Sequence, residues 1–478
     1  MKLARAALTV LALFTSTCHR EDAAHTAAGA ARAVQGCTYV VKEVSAEPAV
    51  LEISARCLGR EITGFSRVES AAKPFIRVLD ASAALLPNDT GWQFSAAQGE
   101  ARIRYRVDLE GVANAEHRFD TASRIGHSLV APASTFLLQP EPLDVGVPID
   151  VRVSVPNGED FASGLAPLDT TDRHFALQAH EVSVATYSIF GRFARRRVHV
   201  LGSDLEVVTA DSPLDLAPAI SERWITAAAT AVGQFYGHFP TPHALVLLLP
   251  VPERSTVVFG KVLPQSAPGV AVLVGAHTPE PALYQDWILV HELFHLGFPS
   301  FHDEAKWLDE GSATYFEPII RARAGDLTEL QVWQDFARDM PQGLRAIERE
   351  GLEHPSNFRA IYWGGAIACL LADVAARQRS QNAVGLEHGF RAVLQAGGNA
   401  TRVWSLEQVT HVIDEALGAP ILREIVTRHA NTGQPVGLPE LFAKLGVVQD
   451  ADGSVTLDDH AELAALRHAI TFGARGPH

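Results

Sequence analysis

His291-Glu292-Leu293-Phe294-His295 is followed at a short distance by Trp307-Leu308-Asp309-Glu310-Gly311, and these two segments decide how the rest of the chain reads. On a helix, residues at i and i+4 share a face, so His291 and His295 present their imidazoles side by side. Glu292 projects from an adjoining strip of the same helix, near enough to exchange a proton with a water held between the histidines. Glu310 adds a carboxylate. Two histidines and one glutamate leave the fourth corner of a tetrahedron open, the arrangement of a catalytic zinc site rather than a closed structural one. The alternative is a buried helix whose histidines only hydrogen-bond their neighbours. It accounts for the first segment but not for the second, where Glu310 opens a further helix through Glu317.

The surroundings agree. Thr278 and Pro279 read as N-cap and first residue of a helix running through the motif. Leu283, Trp287, Ile288, Val290, Leu293, Phe294 and Leu296 give it a broad apolar stripe, and Gly297 and Pro299 end it. The loop from Pro299 to Ala305 then turns the chain back so that Glu310 approaches from the second helix. Glu317, two turns past Glu310, and Asp303, in the loop, are candidates for steadying a ligand from behind; a solvated or salt-bridged helix residue is an equal reading of Glu317.

HELFH at 291–295 with WLDEGSATYFE at 307–317 resembles the gluzincin zinc metallopeptidases. The likeness is nearest to the glycyl-aminopeptidase type (peptidase family M61) and more distant to the aminopeptidase-N-like enzymes (M1). A third segment, Ile361-Tyr362-Trp363-Gly364-Gly365-Ala366, is similar to the tyrosine-bearing stretch that follows the zinc site in these families. The resemblance implies one Zn²⁺ per chain on His291, His295 and Glu310, with Glu292 as general base and then acid. It gives Tyr362 the role of hydrogen-bond donor to the oxyanion. It also implies a strand at the sheet edge that pairs with an extended substrate, for which Gly269, Val270 and Ala271 are the candidates. The sequence departs from the family pattern in three ways. The spacing from His295 to Glu310 is shorter, Gly364 stands where lysine is frequent, and Gly260–Gly269 lacks the glutamate motif that binds a free amino terminus. A peptide or protein substrate is implied, with terminal or internal attack left open. A zinc hydrolase of non-peptide amides or esters, or a non-catalytic envelope-binding protein on the same scaffold, are the alternatives.

Asp and Glu outnumber Lys and Arg by 55 to 40, and the one basic run, Arg195-Arg196-Arg197, reads as a strand face or turn, so nucleic acid is not an expected partner. With 478 residues, 47% of them hydrophobic, the chain supports more than one core. The expected fold class is multidomain α+β, with a β-sandwich-like domain followed by a mixed α/β and then largely helical zincin domain. Residues 1–18 read as a signal peptide, with Lys2 and Arg5 ahead of an apolar stretch. Thr15-Ser16-Thr17-Cys18 resembles a bacterial lipobox. The expected location is the bacterial cell envelope or outside it, as a lipoprotein anchored through Cys18 or as a periplasmic or secreted protein. Residues 19–36 read as a tether, 37–205 as an all-β domain, 206–446 as the catalytic domain and 447–478 as a C-terminal extension. Cys37 and Cys57 flank a hairpin and suit a disulfide in an oxidising compartment, whereas Cys369 reads as a buried free thiol.

Overall fold

The computed structural model describes residues 36–473, apart from 143–145, 170, 172, 185, 265–267, 302–304, 355–356 and 432. The expected signal peptide and nearly all of the tether, with Cys18, lie outside the described residues, as does Asp303.

Alternation builds the N-terminal region. In the strand Gly91–Asp108, Ala101, Ile103, Tyr105 and Val107 are buried while Arg102, Arg104 and Arg106 face solvent, the period-two pattern of a sheet with one wet face. With Gly36–Ala46 and Ala49–Ser66 this strand forms the centre of a nine-stranded sheet. A four-stranded sheet made of Ser123–Ile125, Ser128–Pro132, Asp160–Ser163 and Tyr187–Gly191 shares its core, in which Tyr39, Ile53 and Tyr105 lie with Phe161 and Phe190. The buried Tyr105 hydroxyl donates to the Phe136 carbonyl at 2.9 Å, so the polar atom is matched inside the core. Cys37 and Cys57 face each other across the first hairpin and form a disulfide; Cys369 is a buried free thiol.

A third sheet, of five strands, carries the site. Its strands are β1 (Phe193–Val200), β2 (Ser203–Ala210), β3 (His243–Val251), β4 (Val257–Leu263) and β5 (Gly269–Gly275), in the spatial order β1-β2-β3-β5-β4. Helix α1 (Pro218–Tyr236) provides the crossover between the parallel strands β2 and β3. Residues 244–250 are all buried, as expected for a strand covered on both faces. One face of this sheet packs on the four-stranded sheet, where Val208, Leu245, Leu247 and Ala271 meet Val130, Tyr187 and Ile189 in one cluster.

Two expectations are corrected here. The boundary at 205/206 falls inside β2, because β1 alternates like the strands before it and alternation does not reveal which sheet a strand joins. Gly269, Val270 and Ala271 do not lie at an edge: β5 is hydrogen-bonded to β3 on one side and β4 on the other. The edge strand on this side of the sheet is β4, as β1 is on the other.

Helices follow: α2 (Glu280–Gln285), α3 (Ile288–Phe294), α4 (Lys306–Ala324), α5 (Glu329–Asp339) and α6 (Phe358–Arg379), then five more to Phe472. The stretch after 447 folds back onto α4 and α5. There Arg323 donates to the Ile470 carbonyl at 2.9 Å and Trp333 to the Thr471 hydroxyl at 3.0 Å.

Candidate metal centre

The helix expected from Thr278 through the motif is in fact two. Thr278 does not cap; its hydroxyl donates back to the Gly275 carbonyl. The chain leaves α2 at Asp286, whose carboxylate accepts the amides of Ile288 and Leu289 at 3.0 and 3.3 Å and so starts α3 afresh. Burial pushes the Asp286 carboxyl up to about 6. The short α3 is pinned at its far end by the Tyr236 hydroxyl, which donates to the Phe294 carbonyl at 3.0 Å. Phe294 packs into an aromatic group with Phe235, Phe316 and Phe390. His291 lies within α3 and His295 caps its C-terminal end, and both are buried.

Helix α4 begins at Ala305, held in a left-handed conformation with φ of 62°. Glu353 fixes this turn by accepting the Ala305 amide at 3.2 Å and the Trp307 indole N–H at 2.8 Å. Glu310 then faces α3 from the second turn. Helix α6 crosses α4 at backbone contact: a Cβ on Gly365 would lie 1.9 Å from the Trp307 carbonyl oxygen, and one on Gly311 would lie 2.4 Å from the Gly365 Cα. That approach brings Tyr362, one turn before Gly365, to the side of Glu310.

The result is a convergent cluster. Glu310 Oε2 lies 3.4 Å from His291 Nε2 and 3.6 Å from His295 Nε2, and one donor atom from each of the three residues falls within 4.8 Å of the others. A tetrahedral zinc with bonds near 2.05 Å separates its ligand atoms by about 3.3 Å, so the three residues fit the ion their spacing implied. The Asp309 carboxylate meets His295 Nδ1 at 2.8 Å, while His291 Nδ1 is buried without a partner among the described residues. His291 is instead held by rings, with Trp287 edge-on at 5.2 Å and Tyr362 stacked at 5.9 Å.

Electrostatics set these groups apart from one another. Burial alone would raise the Glu310 carboxyl, but its contacts with both histidines outweigh this and hold it ionised, far below the usual carboxylate range. His295 is the converse: burial lowers its pKa, and the carboxylates of Asp309 and Glu310 drive it up. Burial raises Glu292, helped by Glu310 and opposed by the two histidines. Its Oε2 accepts the Val262 amide of β4 at 2.8 Å. Burial and then the Glu310 carboxylate raise the Tyr362 phenol, which keeps its proton.

Glu317 does not reach a histidine. It is buried against Arg321 at 2.8 Å, and Arg321 in turn donates to the Gln285 carbonyl at the end of α2. Burial takes the Glu317 carboxyl up to about 7 against the pull of Arg321. Sequence reasoning missed Asp309, the residue that holds His295. Its only signal was its place beside Glu310, and adjacent residues on a helix of 3.6 residues per turn point about 100° apart. A cavity of about 530 Å³ opens beside His291 and Tyr362, walled by Trp287, Phe336 and Trp363 and by Arg338 and Arg359. Its size suits a side chain or small ligand.

No protein-family profile and no curated protein sequence matches the chain. Solved structures do. An aminopeptidase N family protein from Idiomarina loihiensis superposes with a TM-score of 0.67 at 13% identity, over 86% of this chain and 78% of that one. An M1 zinc metallopeptidase from Deinococcus radiodurans gives 0.53 at 16%, over 84% and 94%. A mutant M1 enzyme from the same organism, bound to a Tyr-Ser-Ala substrate, gives 0.54 at 15%, over 84% and 94%. At these identities the likeness establishes the fold: a multidomain chain with a β-rich N-terminal domain ahead of a mixed α/β and then helical region.

Proposed function

We propose that the protein is a zinc-dependent peptidase of the gluzincin kind, holding one Zn²⁺ on His291, His295 and Glu310 and nearest to the glycyl-aminopeptidase type. The observation that carries this reading is the convergence of three ligand atoms within 4.8 Å of one another, with Glu292 and Tyr362 beside them. When bound, the ion acidifies a water and polarises a carbonyl. The chain's own residues do the rest. Glu292, its pKa raised by burial, takes a proton from the attacking water and passes it to the departing amine. Tyr362, still protonated, donates to the oxygen on which negative charge grows. Asp309 orients His295. The free edge of β4 lies beside Glu292 and offers main-chain groups to an extended peptide, and the cavity next to Tyr362 receives one of its side chains. The Cys37–Cys57 disulfide supports an exported location, with or without a lipid on Cys18.

The test is metal analysis joined to a mixed peptide library. Zinc at one per chain, and cleavage that stops on chelation and in Glu292→Gln, is the expected result. Stoichiometric zinc with no hydrolysis of any peptide, amide or ester would overturn the reading.

A further inference from the structure

On the strand side of Glu292, β4 meets residues that the proposed hydrolysis leaves unused. Gly260 and Val262 both touch Glu292: a Cβ on Gly260 would lie 2.6 Å from the Glu292 Cγ, and the Val262 amide donates to Oε2. Between them Lys261 reaches toward the N-terminal region, where its ammonium lies 2.7 Å from Asp120 Oδ2. Arg118 grips both oxygens of the same carboxylate at 3.0 Å. Phe119 packs on Phe259 of β4 and on Tyr187, with ring centroids 6.0 Å apart in each case. The Tyr187 hydroxyl is fully buried and has no hydrogen-bond partner among the described residues. It lies within electrostatic reach of both Asp120 and Glu292. An aromatic shelf bearing one carboxylate and one unmatched O–H thus adjoins the general base at the free edge of the sheet.

A peptide laid along β4 with its first residue beside Glu292 would bring its ammonium toward Asp120. That carboxylate is already taken. Burial alone would raise it, yet the hydrogen bonds from Arg118 and Lys261 bring it down to about 2. An incoming ammonium would only exchange one cation for another, against a rival held at high effective concentration on the adjoining strand.

We infer that Lys261 occupies the seat a substrate's terminal ammonium would need, so that the enzyme takes peptides presenting an uncharged group there: internal segments, or chains with a blocked amino end. This inference rests on the peptidase reading and sharpens its substrate class.

The experiment uses the zinc-loaded full chain and two peptides of one sequence, one with a free and one with an acetylated amino end. The products are identified by mass spectrometry. For the wild type, kcat/KM for the acetylated peptide should exceed that for the free one by about tenfold, the scale of one charged contact. Lys261→Met should lower this ratio by about tenfold, Lys261→Arg should keep it, and adding Asp120→Asn to Lys261→Met should abolish the gain on the free peptide. Removal of single residues from free amino ends at least as fast as cleavage of the acetylated peptide overturns the inference, whether or not any variant folds. So does an unchanged ratio in a folded Lys261→Met. Cleavage of neither peptide by the zinc-loaded wild type would instead sink the peptidase reading, and the inference with it.

Discussion

Helices α4 and α6 hold two buried polar clusters, and the contrast between them shows where the chemistry lies. Toward the end of the α4–α6 pair away from the histidines, the Tyr315 hydroxyl donates to Asp373 at 2.9 Å. Arg377 bonds Asp373 at 2.8 Å and Glu387 at 2.8 Å, and Asp373 also accepts the Leu386 amide. Arg323 adds a second cation 3.5 Å from Glu387. Charge is balanced and each group has a protein partner. Toward the other end, His291, His295 and Glu310 converge without closing: the Nε2 atoms stop 3.4 and 3.6 Å from the carboxylate, and one ring nitrogen has no partner among the described residues. The first cluster completes itself and braces the fold. The second leaves three donor atoms turned toward one another, the arrangement that the proposed zinc would complete.

Four substitutions or titrations test that contrast. Glu292→Gln should cut kcat by about a thousandfold or more, within the range for a lost general base, while zinc content by elemental analysis stays at one per chain. Loss of the zinc would move Glu292 from proton transfer to the ligand set. Arg377→Met should leave Asp373 and Glu387 buried without their cation and destabilise the fold by about 3–5 kcal/mol in denaturant titration. Its zinc affinity should persist wherever the protein is folded, and a matching loss of zinc would show that the two clusters are one unit. Asp309→Asn should weaken zinc binding or activity by about 10- to 100-fold, measured by competition with a chelating dye. An Asp309→Asn protein as tight as wild type would show that His295 needs no orienting partner, as His291 Nδ1 has none among the described residues.

The smallest effect concerns Glu317. Its folded pKa of about 7 lies above the ordinary carboxyl value of 4.5. A raised folded pKa means stability is fully present below the unfolded pKa and is lost as pH rises through the folded one. Denaturant stability should therefore fall by about 1–3 kcal/mol between about pH 4.5 and 7, and Glu317→Gln should flatten that slope. If the slope survives, it belongs to Asp286, whose carboxyl burial raises to about 6.

The residues that were legible share a helix turn or a strand. His291, Glu292 and His295 lie within five positions, so periodicity alone puts them on or beside one face. Cys37 and Cys57 could be paired because a hairpin carries them. Of the two readings open for Glu317, support of a ligand and a salt bridge on its own helix, the folded chain takes the second. Arg321, four residues on, captures it, an i,i+4 pairing that was visible in the sequence. The misplaced substrate edge has a different cause. β4 and β5 form one antiparallel pair, and β5 becomes interior only because it also pairs in parallel with β3. No local pattern records strand order.

By itself the sequence determined the makeup of the cluster: two imidazoles one helical turn apart, a glutamate between them, and a carboxylate on a following helix. Backbone periodicity dictates that much before any tertiary contact forms. Only the folded chain decided what surrounds the donors. The backbone contact of Gly311 with Gly365 brings Tyr362 to Glu310, and His295 selects Asp309 by approaching from a separate helix. Asp120 meets Lys261 across 141 positions of sequence. Each of these depends on where independent elements pack. Packing is set by the fit of whole faces, which a short stretch of residues does not carry.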